Sequence, residues 1–136
     1  MVYSVILDKL AQGQINLLSA SIHCALVSAS YVPSQSHTSY ADIVATQIIA
    51  TNYTAGGKPL LNKTLNNGRF DADDIQWDDM QAEAQFTIIY NNTPATVTDK
   101  TLIACYDLRD TGITNPETSD FIIRWNMLGI LNLAID

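Results

Sequence analysis

Between Asn52 and Trp77 the chain is punctuated so densely by turn residues that no long helix or strand fits. Gly56-Gly57 accept positive φ at little cost, and Pro59 restricts the next segment to a strand start or an edge strand. Asn66-Asn67-Gly68 carries the Asn-Gly dipeptide, one of the strongest local signals for a tight hairpin. The spacing predicts a hairpin in which residues 58–65 pair with residues 69–77. A chain cut into such short pieces folds as an all-β domain of small strands.

The rest of the sequence keeps the same rhythm. Ile22, Cys24 and Leu26 alternate with His23, Ala25 and Val27, the period of a strand. Further strands are expected at 82–90, 102–107, 121–125 and 130–135, separated by Asn91-Asn92-Thr93-Pro94 and by a loop over 110–120. In the last pair Phe121, Ile123 and Trp125 form one face, with Ile122 and Arg124 on the other, which places Trp125 in the core. Leu131, Leu133 and Ile135 alternate with Asn132 and Ala134. About seven short strands joined by turns predict an antiparallel β-sandwich or Greek-key barrel.

Two local departures from strand are expected. Val2, Val5, Ile6 and Leu10 fall at helical spacing, and Gly13 comes where a left-handed residue stops a helix. Residues 1–13 therefore read as a short N-terminal helix or arm, which either packs on the sandwich or docks on a neighbouring subunit. After a Ser- and Thr-rich loop, Ser39 is placed as an N-cap with Asp42 at N3, opening a helical turn that ends before Ile48.

The 136 residues fit one domain, 1–136, long enough to bury a core without metals or disulfides. Apolar residues make up 47% and charged residues only 15%, the composition of a folded chain that hides part of its surface against a partner. A net charge of −7, with seven scattered basic residues, argues against nucleic-acid binding, which needs clustered Lys and Arg. No run approaches the length of a membrane span and no charged segment precedes an apolar core at Met1, so neither membrane insertion nor secretion is expected. Cys24 and Cys105 each sit in an apolar run. A disulfide requires their strands to face each other; buried thiols suit a protein assembled in a reducing cytoplasm.

No residue pattern points to catalysis. Asp71, Asp73, Asp74, Asp78 and Asp79 are a dense group of oxygen ligands, but they lack the spacing of a calcium loop and read as solvated edge charge, without a metal. His23 and His37 have no partners at zinc spacing. A glycosidase would pair Glu83 with an Asp, yet nothing around Glu83 would raise its pKa. Gly56-Gly57-Lys58 lacks the upstream glycine and the Ser or Thr of a phosphate-binding loop. No catalytic residue, cofactor or metal is expected.

Three segments are informative together: Tyr53-Thr54-Ala55-Gly56-Gly57, Phe70-Asp71-Ala72-Asp73-Asp74-Ile75-Gln76-Trp77, and Phe121-Ile122-Ile123-Arg124-Trp125-Asn126-Met127-Leu128-Gly129-Ile130. The chain resembles a family of small virion structural proteins of tailed bacteriophages, which combine a Tyr-Thr-Ala-Gly-Gly turn, Phe-Asp-Ala-Asp-Asp-x-x-Trp and a closing Phe-x-Ile-x-Trp-(Asp/Asn)-x-x-Gly-Ile. The resemblance covers most of the chain. It implies a non-enzymatic virion component, foremost a capsid decoration (cement) protein bound to the major capsid protein, with a trimer favoured. It would be assembled in the host cytoplasm and reside in the particle. A tail, neck or head-fibre component and a carbohydrate-binding or adhesion module are the alternatives. Val2, Val5, Ile6, Leu10, His37 and Tyr40 are the candidate partner-binding residues.

Overall fold

A computed structural model describes residues 1–108, 112–115 and 120–133. The chain is all-β, with antiparallel sheets and one short N-terminal helix, α1 (Ser4–Ala11). The strands are β1 (Ile22–Val27), β2 (Lys58–Pro59), β3 (Thr64–Asn66), β4 (Arg69–Asp71), β5 (Ile75–Trp77), β6 (Phe86–Asn91), β7 (Leu102–Asp107), β8 (Gly112–Asn115), β9 (Asp120–Ile123) and β10 (Leu131–Asn132). They form a four-stranded sheet, β2-β1-β6-β7, and two three-stranded sheets, β10-β4-β3 and β5-β9-β8.

The four-stranded sheet is apolar on both faces. One face, with Ile22, Cys24, Leu26, Ile89 and Ile103, packs against Phe70 and Leu131 of one small sheet and Trp77, Phe121 and Ile123 of the other. That is the core of a sandwich, one layer against two half-layers. The opposite face carries Ala25, Val27, Ile88, Tyr90, Leu102 and Cys105, and is covered by Tyr3, Tyr31, Tyr40 and Ile43. The long stretch between β1 and β2 therefore acts as a lid over a second core. It holds 3₁₀ turns at Tyr40–Asp42 and Val44–Thr46, the first anchored by the Asp42 carboxylate, which accepts from the Thr38 and Ser39 N–H groups at 2.8 and 3.1 Å.

Alternation also settles the cysteines. Cys24 stands opposite Ile89 on β6 and Cys105 opposite Ile88, so neighbouring β6 residues send the two thiols to opposite faces. Both are free and buried, and no disulfide joins them.

Several expected boundaries move. The hairpin expected between 58–65 and 69–77 is formed only by β3 and β4, around a two-residue turn with Asn67 at φ 51° and Gly68 at φ 78°. Lys58–Pro59 instead edges β1, and Ile75–Trp77 pairs with β9, so 20 residues of chain feed three sheets. The strand expected over 82–90 starts at Phe86. β8 runs through the loop expected over 110–120. The strand expected over 121–125 stops at Ile123, and Trp125 lies beyond it, half-buried at the rim of the core instead of inside it. β10 is confined to Leu131–Asn132, with Leu133 exposed and Ile135 outside the described residues.

Candidate functional site

The N-terminal segment is bound to the chain's own sheet before the helix begins. Residue Val2 forms an antiparallel bridge with Ala104, the Tyr3 N–H donates to the Ile103 carbonyl at 3.0 Å, and the Cys105 N–H donates to the Met1 carbonyl at 2.8 Å. The Met1 ammonium donates back to the Cys105 carbonyl at 2.7 Å. This segment pairs with the free edge of β7, an edge that would otherwise offer unpaired amides to other chains. Apolar alternation in Val2-Tyr3 does not signal it, because only the tertiary placement of β7 supplies the partner.

The loop after β1 clasps this arm. Gln35 Oε1 accepts from both the Ser4 N–H and the Ser4 hydroxyl at 2.8 Å, and Gln35 Nε2 donates to the Val2 carbonyl at 2.9 Å. Beneath it the Tyr3 and Tyr31 hydroxyls meet at 2.7 Å, and the Tyr31 hydroxyl lies 2.9 Å from His37 Nδ1. Burial raises the Tyr3 phenol far above the ordinary tyrosine range, so this chain of hydroxyls stays neutral.

The six candidate partner-binding residues thus fall into two groups. Val2, Val5, Ile6 and Leu10 line the arm, and His37 joins them through Tyr31 and Tyr3. Ile6 is wholly buried, Val2 and Leu10 pack on the main core, and Val5 packs on the second core. The large apolar side chain that the helix presents to solvent is Leu7, at 52% exposure. Tyr40 shares the second core with Val5, Tyr3 and Tyr31 but lies outside their hydrogen-bonded chain: its ring stacks near Tyr90 with centroids 4.8 Å apart, and its hydroxyl accepts from Gln47 Nε2 at 2.7 Å.

Gln47 is a hub that no sequence pattern signals. Its Oε1 accepts from the Tyr53 hydroxyl and the Gly56 N–H, both at 2.6 Å, while the Tyr90 hydroxyl donates to the Gly56 carbonyl at 2.7 Å. The Tyr-Thr-Ala-Gly-Gly turn is therefore held by three hydrogen bonds to two side chains, Gln47 and Tyr90. Gly57 has φ +75°, and a Cβ there would stand 1.8 Å from the Cys24 carbonyl oxygen, so the turn lies against the backbone of β1.

The other two informative segments fasten each other. Trp125 donates its main-chain N–H to Asp74 Oδ1 at 2.9 Å and its indole N–H to the Asp73 carbonyl at 3.0 Å. Gly129, at φ +89°, approaches so closely that a Cβ would stand 2.8 Å from the Phe70 carbonyl oxygen. Asn126 Oδ1 accepts from the Leu128 N–H at 2.9 Å, closing the turn between them. The aspartates act in the same way: Asp71 Oδ1 accepts from the Ala72 N–H at 2.9 Å, Asp73 from Asn62 at 2.5 Å and Asp78 from Gln76 at 2.8 Å. No group of three His, Cys, Asp or Glu side chains among the described residues is arranged to hold a metal.

Chemistry-bearing side chains elsewhere are dispersed. His23 Nε2 lies 3.4 Å from the Asn92 amide, and burial lowers the pKa of its ring. Glu83 is exposed beside Ser28 and Ser30 in an open depression of about 500 Å³. Burial pushes the thiol pKa of Cys24 up to about 12 and of Cys105 up to about 11, which removes the thiolate needed for reactivity. No helix among the described residues is long and apolar enough to cross a membrane. The chain matches no family model and no curated protein.

Proposed function

We propose that the chain is a non-enzymatic structural component of a tailed-phage particle: a decoration protein that binds the major capsid lattice as a trimer and reinforces it. The observation that carries this reading is the resemblance of the three segments, together with what their residues do. Gly57, Trp125 and Gly129 act by position, through close backbone approach and hydrogen bonds, and bring no reactive group to a cleft. Such a pattern suits a rigid part whose duty is to present a surface.

The surface assigned to the lattice is the lid. The Ser28 N–H donates to the Thr46 carbonyl at 2.9 Å, holding together two loops that expose Val32 at 74%, Val44 at 48% and Ile49 at 101%. Large apolar side chains left so open lose contact with water when a partner covers them. Repetition over a closed shell then multiplies a weak contact through effective concentration.

The test is reconstitution. Purified chain is added to phage particles produced without it, and bound protein is measured by sedimentation and located by electron cryomicroscopy. Saturable binding on the head, lost in Ile49→Asp, is the expected result. Binding confined to the tail or neck moves the chain to that part of the particle, and no binding to any particle overturns the reading. Light scattering of the free chain tests the trimer.

A further inference from the structure

The outer face of the β10-β4-β3 sheet holds a groove of about 320 Å³, a volume near the lower end for small-ligand sites. Strand register builds it: Thr64 stands opposite Asp71, and Asn66, Arg69 and Asn132 form a row across all three strands. One wall is the turn with Met127, 97% exposed, and Leu128, 54% exposed. That wall is fixed to the sheet by the Ile130 N–H, which donates to the Phe70 carbonyl at 2.8 Å, and by the close approach of Gly129.

We propose that this groove binds a neutral, hydroxyl-rich ligand: a short stretch of uncharged glycan. Amide, hydroxyl, guanidinium and carboxylate groups side by side offer both donors and acceptors, which suits ligand hydroxyls, each of which both donates and accepts. Met127 and Leu128 supply an apolar wall for the C–H face of a sugar ring. Charge selects against other ligands. Arg69 and Asp71 lie two residues apart on one face of β4, so an anion at Arg69 meets a carboxylate and a cation at Asp71 meets a guanidinium. An apolar peptide would bury these polar groups without partners.

Backbone amide NMR of the full chain, titrated separately with maltotriose, cellotriose and triacetylchitotriose to millimolar concentration, tests the site. At least one sugar is expected to produce saturable shifts confined to residues 64–71 and 127–132. Arg69→Ala and Asn66→Ala, both exposed and checked for an unchanged melting temperature, should each weaken binding about tenfold, the effect of one lost charge-assisted or bidentate contact. No shift with any of the three sugars overturns the proposal, as do shifts outside the groove. Concentration-dependent changes at these amides without sugar also overturn it, assigning the face to a second copy of the chain.

Discussion

The Trp125 main-chain N–H sits 2.9 Å from the Asp74 carboxylate, which ties the segment after β9 to the connection between β4 and β5. Because this carboxylate accepts at an exposed site, Asp74→Ala is expected to cost about 1 kcal/mol. Trp125→Ala should cost about 1–2 kcal/mol, since only part of its ring is buried, at the rim near Tyr106. Trp77→Ala, at a ring 1% exposed between Tyr53 and Phe121, should cost about 3–5 kcal/mol. Urea unfolding of the three variants gives the order; a Trp125 variant as damaged as the Trp77 variant would place both rings in the core.

Gly57 and Gly13 separate two reasons for glycine. Both have positive φ, but a Cβ at Gly13 meets nothing within 4 Å, whereas at Gly57 it meets the β1 backbone. Gly13→Ala should cost about 1–2 kcal/mol, the penalty of a left-handed L-residue. Gly57→Ala must also push β2 off β1, and should cost more than about 3 kcal/mol or prevent folding. Thermal melts of the pair are decisive: equal losses would mean that the turn does not lie against Cys24.

Stability should peak between neutral and mildly alkaline pH. Burial lowers the folded pKa of His23 from its ordinary 6.5, so below that pH the unfolded chain takes up a proton that the folded one resists, and stability falls with acid. Cys24 and Cys105 titrate in the folded state near 12 and 11 against an ordinary 9.0, so their contribution is intact below pH 9 and is lost as pH rises toward those values. Melting temperatures over pH 5–11 should trace this dome. Cys24→Ala should flatten its alkaline side, and a thiol reagent at pH 8 should label neither cysteine until denaturant is added.

Removing residues 1–11 is expected to abolish the folded state, not merely a docking arm. Tyr3 and Ile6 are both 0% exposed, and the arm covers the edge of β7. Circular dichroism and size exclusion of the truncated chain should show unfolding or aggregation. A soluble, cooperatively melting product would reduce the arm to an accessory.

Much of the fold was legible because it is local. The Asn67-Gly68 turn, the alternation of β1, the limits of β7 and the Ser39–Asp42 cap each depend on a few adjacent residues with defined backbone preferences. β7 shows where local reading fails. A bulge between Ile89 and Tyr90 skips Ile103 in the register, so Ile103 and Ala104 both enter the main core while Leu102 and Cys105 face the second.

The sequence by itself determined an all-β chain, its principal turns and the burial of both cysteines, since period and turn chemistry act over neighbouring residues. Only the tertiary structure decided which strands share a sheet, that Trp77 is central and Trp125 marginal, and that the N-terminal arm belongs to the chain's own core. It also placed Gln47 at the centre of the tyrosine cluster and lined up Asn66, Arg69 and Asn132 across a groove. These relationships join residues far apart in sequence, through backbone pairing that no short window of residues specifies.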